Sequence, residues 1–231
     1  DNAVEKGKTI AADIGNRLKS LKEELSPSVK NKVEQASIDD AIALESKNII
    51  LVDSKDNPGG GAPGDNTYFI RQLIEKKLES VCAGPLWDPQ AVKVCFDAGV
   101  GATLPLRIGG KACKDSDEPL DVIATITALQ KNHVQTLKDV KTPLGDSAAI
   151  RVGGIDIALA SLRDQTYGQD LFSGLGIEPK KCKYILVKSS QQFRIGFDGL
   201  NPEIVYLRNM TRKKDLVYKN ISRPLWPITQ L

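Results

Sequence analysis

A loop rich in glycine, proline and acidic residues, 56–65, is the part of the sequence best suited to chemistry. Its four glycines allow left-handed backbone and the close approach of a ligand, and its two prolines stiffen it. An apolar run, 49–52, precedes the loop, and a helical pattern, 67–77, follows it. A loop in this position is expected to expose backbone N–H groups to a ligand. The expected ligand-binding residues are Asn57, Gly59, Gly60, Gly61, Gly64, Asn66 and, beyond the next strand, Asp88.

Acidic side chains collect around this loop, where a catalytic or binding carboxylate would be useful. Asp53, Asp56 and Asp65 flank or belong to the loop, and Asp88 follows the next predicted strand. Because ligands bind at the carboxyl ends of strands in open α/β sheets, these side chains could accept hydrogen bonds in a cleft. The alternative is local: helix N-caps for Asp65 and Asp88, and turns for the other two. We take Asp56 and Asp65 as the catalytic candidates among them.

Lys188 is the cationic candidate and the third catalytic one. It follows the predicted strand 184–187 and precedes a helical pattern through Phe197, for which Ser189 or Ser190 is the expected N-cap. A cation at that edge could hold an anion or pair with the acidic cluster. The alternative is an ordinary exposed lysine.

Gly59, Gly61 and Gly64 have the Gly-x-Gly-x-x-Gly spacing of dinucleotide-binding loops. In that motif the glycines follow the strand almost directly, whereas residues 54–58 intervene here. Asp65 would also repel a pyrophosphate. The glycine loop contains no Gly-Lys-Ser or Gly-Lys-Thr, which excludes a phosphate-binding P-loop there. A nucleotide-dependent oxidoreductase is therefore kept only as a second alternative.

Metal-binding residue types are sparse. The sequence has one histidine, His133, and four dispersed cysteines without a Cys-x-x-Cys pair. Since a zinc site needs about four nitrogen, sulfur or oxygen ligands, no metal site is expected in this chain. His133 has no partner motif and is expected at the surface, and no Ser/His/Asp or Cys/His nucleophile arrangement can be assembled. Buried free thiols, typical of a reducing compartment, are expected at Cys82, Cys95, Cys113 and Cys182.

Composition excludes several classes of protein. The net charge of the 231 residues is only +3, without a basic stripe interleaved with aromatics, so nucleic acid is not an expected partner. No apolar run approaches the ~18 residues of a membrane span, and no signal peptide opens the chain, so a cytoplasmic location is expected. The chain begins at Asp1 and its one methionine is Met210. We therefore expect a domain or processed piece of a longer protein.

Residues 1–46 are interpreted as a helical connector from a missing N-terminal domain. Within 3–25 an apolar stripe predicts a helix that packs on this domain or on the preceding one. Ser26-Pro27 ends this helix, and Ser37 with Asp40 resembles a capping box for a short helix through Leu44. The stripe consists of Val4, Gly7, Ala11, Ile14, Leu18, Leu21 and Leu25.

Residues 47–231 are predicted to form an α/β domain, a mostly parallel sheet flanked by helices with an inserted antiparallel section. A hairpin is predicted at Gly153-Gly154, between strands 148–152 and 155–160. The other strands are predicted at 49–53, 80–86, 103–108, 120–128, 184–187 and 204–207, and the helices at 67–77, 88–98, 170–174 and up to 197.

Several motifs, in this order, resemble the C-terminal domain of the MlrC family, the microcystin-degradation-type metallopeptidases of bacteria. The resemblance covers roughly residues 38–231, and residues 1–37 resemble the connector that leaves the family's N-terminal domain. Besides the glycine loop, the motifs are Trp87-Asp88-Pro89, Gly99-Val100-Gly101-Ala102, Arg107-Ile108-Gly109-Gly110-Lys111, Leu175-Gly176-Ile177, Val187-Lys188-Ser189, Phe193-Arg194 and Arg223-Pro224-Leu225-Trp226-Pro227.

The resemblance implies a zinc hydrolase that acts on the peptide or amide-like bonds of a small substrate. Its zinc ligands would be His, Asp and Glu residues of the N-terminal domain, which would be the partner of this chain. The chain would cover and shape the active-site cleft, chiefly through the glycine loop, and would be inactive alone. Self-association into a homo-oligomer stays open. The alternative is a non-catalytic module that captures a small anion or serves in assembly.

Overall fold

The computed structural model describes residues 3–25, 35–114 and 116–208. The chain divides into two compact units, Asp1–Gln35 and Ala36–Leu231. The predicted helix stop at Ser26-Pro27 and the motif at 223–227 lie outside the described residues. The assignment of 1–46 as a connector from another domain stays a prediction.

The described part of the first unit, residues 3–25, contains two helices, α1 (Ala3–Ser20) and α2 (Lys22–Leu25). The single helix predicted over 3–25 is thus interrupted at Leu21. No residue of α1 is buried, and the apolar side chains of Val4, Ile14 and Leu18 are more than half exposed. Among residues 3–25, no other element therefore covers the part of the stripe that lies on α1.

A nine-stranded sheet of order β1-β9-β2-β8-β3-β7-β6-β5-β4 forms the framework. Strand β2 is parallel to β8 and β9, and β3 is parallel to β7 and β8, whereas β4, β5, β6 and β7 pair antiparallel. This confirms the predicted α/β fold with an antiparallel section. The strands are β1 (Gln35–Ala36), β2 (Ile49–Val52), β3 (Val81–Trp87), β4 (Thr103–Ile108), β5 (Leu120–Leu137), β6 (Val140–Val152), β7 (Ile155–Ala160), β8 (Tyr184–Val187) and β9 (Glu203–Leu207).

The predicted hairpin at Gly153-Gly154 is present, but the preceding hairpin is longer than the sequence pattern indicated. Strand β5 continues to Leu137 and β6 begins at Val140, where we predicted strands of 120–128 and 148–152. Their pairing contains register shifts between Ile126 and Val134. Such irregularities break the alternation of apolar and polar residues on which the prediction relied.

Helices cover both faces of the sheet, and each face has its own apolar core. The capping box at Ser37 and Asp40 and the N-cap at Asp88 are confirmed. The N-cap predictions for Asp65 and for Ser189 or Ser190 are wrong, because the helices there begin after Thr67 and Gln192. The helices are α3 (Ile38–Ile42), α4 (Tyr68–Glu75), α5 (Pro89–Ala98), α6 (Asp170–Ser173) and α7 (Phe193–Phe197).

No helix among the described residues is long and apolar enough to cross a membrane.

Candidate functional site

The candidate residues meet at the carboxyl ends of the parallel strands. Strand β2 leads into Asp53, β8 into Lys188 and β3 into Asp88. All residues of β2 and β8 are buried apolar residues, as expected for central parallel strands covered on both faces. Because β8 lies between β2 and β3, the three polar residues that follow these strands come to one edge of the sheet.

Lys188 is buried against two carboxylates. Its Nζ lies 2.7 Å from Asp56 Oδ2 and 3.4 Å from Asp53 Oδ2, and it also donates to the carbonyl oxygen of Asn66 at 2.8 Å. The side chains of the lysine and both aspartates are only 1% exposed. Pairing with the acidic cluster, one of the two roles considered for Lys188, is therefore the one observed.

Burial and pairing act in opposite directions on the pKa values of this cluster. Burial would lower the pKa of Lys188, but the charges of Asp56 and Asp53 outweigh it and the pKa is raised. Burial would raise the pKa of Asp56, but the charge and hydrogen bond of Lys188 outweigh it and the pKa is lowered. The pKa of Asp53 is raised, because burial outweighs the more distant ammonium group.

Asp56 also closes the glycine loop. Its Oδ1 accepts a hydrogen bond from the N–H of Gly64 at 2.9 Å, and its Oδ2 accepts one from the N–H of Asn66 at 2.8 Å. A buried carboxylate that bonds a lysine and two backbone amides is held in one position. The catalytic candidate Asp56 is thus placed to fix the loop.

The backbone N–H groups of the loop are occupied within the chain. Asn57 Oδ1 accepts from Gly59 N–H, and Asn57 O accepts from the N–H groups of Gly60 and Ala62. The N–H of Gly61 bonds to Pro58 O. The expectation that this loop exposes N–H groups to a ligand is therefore wrong, because the Asn57 turn and Asp56 consume the donors.

Asp65 and Asp88 hold the neighbouring loop, 109–112. Asp65 Oδ2 accepts from the N–H groups of Lys111 and Ala112 at 2.8 and 2.7 Å, and its buried Oδ1 has no partner among the described residues. Asp88 caps α5 through the N–H of Ala91, and its other oxygen binds Gly109 N–H and Lys111 Nζ at 2.9 and 2.7 Å. Asp65 therefore braces the glycine loop against loop 109–112, and Asp88 ties loop 109–112 to the start of α5.

Loop 109–112 approaches the glycine loop closely because of two glycines. A Cβ on Gly109 would lie 2.6 Å from Asp65 O, and Gly109 and Gly110 have φ values of +56° and +64°. Both conformations strongly favour glycine. The Gly109-Gly110-Lys111 motif, which carried part of the family resemblance, thus also belongs to the site.

Sequence reasoning missed two further contributors, Gln165 and Thr166. Thr166 Oγ1 accepts from Lys188 N–H and donates to Gly84 O. Gln165 Oε1 accepts from Ser189 Oγ at 3.1 Å, and its amide lies so close to Gly59 that a Cβ there would clash with Nε2. They lie in an irregular segment after β7, where no residue pattern pointed to the site.

The remaining polar candidates do not form a metal site. Within residues 3–25, 35–114 and 116–208, no group of three His, Cys, Asp or Glu side chains could hold a metal ion, so the donor set does not fit zinc. Three cysteines are buried free thiols, but Cys113 is exposed beside Ser116, contrary to the prediction. The predicted surface position of His133 is also wrong, since it is 4% exposed.

His133 predicts a pH dependence of stability. Its Nε2 lies 3.2 Å from Asp170 O on α6, and its Nδ1 has no partner among the described residues. The pKa is lowered from 6.5, because burial disfavours the charged ring more than Asp170 favours it. Below about pH 6.5 the unfolded chain binds more protons than the folded one, so the free energy of unfolding falls as the pH falls. Urea unfolding between about pH 7.5 and about pH 5.5 measures this.

The matched variant is His133→Gln, which cannot take up a proton. We expect a smaller decrease in its free energy of unfolding over the same pH interval. Other groups with shifted pKa values, such as Asp53, are common to both proteins, so the difference isolates His133. Equal decreases in the two proteins would contradict the assignment.

Comparison with known proteins identifies the family. The sequence profile of the family described as MlrC C-terminus matches residues 51–209, the segment that carries the glycine loop, loop 109–112 and Lys188. The chain belongs to the MlrC C-terminus family. It is 41% identical over 219 residues to Microcystinase C from Sphingomonas sp., with coverage of 95% of this chain and 43% of that protein.

The MlrC C-terminus fold also occurs in a solved structure. A chain from Mesorhizobium sp. BNC1, named a putative metallopeptidase, superposes with a TM-score of 0.77 at 20% identity and covers 95% of this chain and 45% of that one. At this identity the likeness shows the shared fold. The chain thus spans less than half the length of both proteins.

Proposed function

We propose that this chain is the C-terminal domain of a zinc-dependent hydrolase that acts on peptide or amide-like bonds, and that it forms one wall of the active-site cleft. The observation that carries the proposal is the rigid glycine loop at the sheet edge, fixed by the buried Lys188–Asp56 pair. Its tip, Gly59 to Gly61, is exposed. A rigid, exposed, side-chain-free tip suits a surface that a substrate or a second domain approaches closely.

The family relationship supports this reading of the loop. The relative is named Microcystinase C and is more than twice as long as the matched region, and the protein of the solved structure is named a putative metallopeptidase. The zinc ligands would lie in the remaining, preceding part, because the donor set described here does not fit zinc. The residues of this chain would then position the substrate. Asp56 and Lys188 would fix the loop, Asp65 would brace it against loop 109–112, and Asp88 would hold loop 109–112 in place.

The apolar stripe of α1 is proposed to pack on that preceding domain. Val4, Ile14 and Leu18 are 69%, 55% and 54% exposed. An amphipathic helix with its apolar face in water is unfavourable, at roughly 25 cal/mol per Å² of apolar surface. A preceding domain would bury this face and fix the connector.

The alternative functions are less well supported by the loop. Capture of a small anion needs backbone donors, and those of Gly59, Gly60, Gly61 and Ala62 are used inside the loop. A dinucleotide would meet the carboxylate of Asp65 rather than a helix N-terminus.

A cytoplasmic location is proposed from the free thiols of the chain.

Zinc content tests the proposal. We expect stoichiometric zinc in a longer protein that includes the preceding domain, and no tightly bound zinc in this chain alone. Elemental analysis after dialysis measures both. Peptide hydrolysis by the longer protein, abolished by a chelator and restored by zinc, would establish the activity. Tight zinc binding by this chain, or hydrolysis that a chelator leaves unchanged, would contradict the proposal.

A further inference from the structure

The exposed tip of the glycine loop, Gly59 to Gly61, offers acceptors and lacks donors. Its N–H groups bond to Asn57 and Pro58. The carbonyl oxygens of Gly59, Gly60 and Gly61 receive no hydrogen bond from any residue within the described ranges. The reason is local. Pro63 has no N–H, and the N–H groups of Ala62 and Gly64 are directed to Asn57 and Asp56.

The charge around the loop also favours cations and hydrogen-bond donors over anions. Four buried carboxylates, those of Asp53, Asp56, Asp65 and Asp88, are countered by Lys188 and Lys111. Asp65 is held by backbone N–H groups alone, and one of its oxygens has no partner among the described residues. Among the described residues around the loop, these carboxylates outnumber the lysines even when the exposed Lys55 is counted. An anion would be repelled here, and a cation or hydrogen-bond donor attracted.

Gly60 indicates that another molecule approaches the tip of the loop closely. A Cβ at this position would meet only the Asn57 side chain, at 3.8 to 4.0 Å, which is ordinary contact. Its φ is not in the left-handed region, unlike that of Gly61 at +90°. Gly59, in contrast, is required by the chain itself, because its Cβ would clash with Gln165. The fold of the described chain therefore does not need glycine at position 60.

We propose that the carbonyl oxygens of the tip bind the hydrogen-bond donors of a peptide-like substrate, namely amide N–H, ammonium or guanidinium groups, and not an anion. The inference rests on the proposed function, since it names the part of the substrate that the loop would receive. Gly60 would keep the acceptors open to this group. The loop thereby acts as a positioning element, and the reacting groups belong to the rest of the enzyme.

A titration of this chain followed by NMR tests the inference. The probe is arginine amide, which carries an ammonium, a guanidinium and an amide N–H. Inorganic phosphate at equal ionic strength is the anionic probe. We expect saturable shifts of the Gly59 to Gly61 backbone signals with arginine amide, at a Kd of about 10 mM as for small fragments, and none with phosphate.

Two glycine variants complete the test. Gly60→Ala should fold like the wild type and bind arginine amide at least about fivefold more weakly. Gly199→Ala is the matched control, since an added Cβ there meets nothing within 4 Å and the residue lies outside the loop. It should bind like the wild type.

The inference is overturned if phosphate shifts the NMR signals of the tip, or if arginine amide gives no saturable shift or shifts only signals elsewhere. It is also overturned if Gly60→Ala binds arginine amide as tightly as the wild type does. The titration does not involve zinc or turnover. A negative titration would therefore leave the proposed zinc hydrolase untouched. If the longer protein instead contained no zinc, the result of the titration would still stand.

Discussion

Lys188→Met is expected to destabilise this chain by about 3–5 kcal/mol, because it leaves the carboxylates of Asp53 and Asp56 buried without their cation. This is a large share of the roughly 5–15 kcal/mol by which domains are stable. Loss of the ammonium group also removes a donor from the carbonyl oxygen of Asn66. Urea unfolding at neutral pH measures the change.

Lys93→Met is the matched control for this variant. Lys93 pairs with Asp97 on the surface of α5, and both side chains are more than half exposed. Such pairs contribute about 0.3–0.5 kcal/mol, so this variant should unfold almost like the wild type. The double variant Lys188→Met with Asp53→Asn should lose less than the sum of the single variants, because one of the stranded charges is gone. Additive losses, or a stable Lys188→Met, would contradict the pairing.

Asp65→Ala is expected to lower the turnover of the longer, zinc-containing protein by about 100-fold, because small displacements of positioning elements carry costs of that size. The N–H groups of Lys111 and Ala112 lose their acceptor, so the brace between the glycine loop and loop 109–112 opens. The free energy of unfolding of this chain should fall by about 1–3 kcal/mol, the cost of leaving buried donors unpaired. Hydrolysis of a peptide-like substrate and urea unfolding measure the two effects.

Two substitutions separate the brace from a general loss of charge. Asp65→Asn retains a carbonyl oxygen that can accept from both N–H groups, so it should retain more activity than Asp65→Ala. Asp97→Ala removes an exposed carboxylate of α5 and should leave turnover unchanged. If Asp65→Ala turns over normally while folding normally, the loop does not position the substrate.

The local features of the fold were predictable from local signals. Strands β2 and β8 are uninterrupted apolar runs bounded by polar residues, and the structure places them within one residue of the prediction. Asp88-Pro89 begins α5 because an aspartate at the N-cap and a proline at the first position both suit a helix start. In the long β5–β6 hairpin, register shifts removed the periodic signal and the prediction ended too early.

The candidate site was only partly predictable, because its contacts connect distant segments. The pattern placed Asp53, Asp88 and Lys188 after strands, but it could not distinguish an exposed lysine from a buried one. The partners of Lys188 lie 132 and 135 positions away along the chain. Gln165 and Thr166 lacked any signal, since their role depends on where the segment after β7 crosses the sheet edge.

Two errors have the same physical origin. His133 stands in a polar stretch and was expected at the surface, but it is buried, with its Nε2 against Asp170 O on α6. The glycine loop was expected to offer N–H groups, but folding directs them to Asn57, Pro58 and Asp56. Burial and hydrogen-bond direction depend on neighbours in space, which a linear pattern does not contain.

Residue types and spacing were enough to establish the α/β class, the ends of β2 and β8, and the family, because periodicity, caps and ordered motifs are local properties. The tertiary structure alone established the roles of the residues at the candidate site. It made Lys188 a buried counterion and Asp65 the brace between the glycine loop and loop 109–112. It also directed the N–H groups of the glycine tip into the chain, so that the tip presents carbonyl oxygens. Those outcomes depend on which buried charges and amides can satisfy one another once distant segments are packed together.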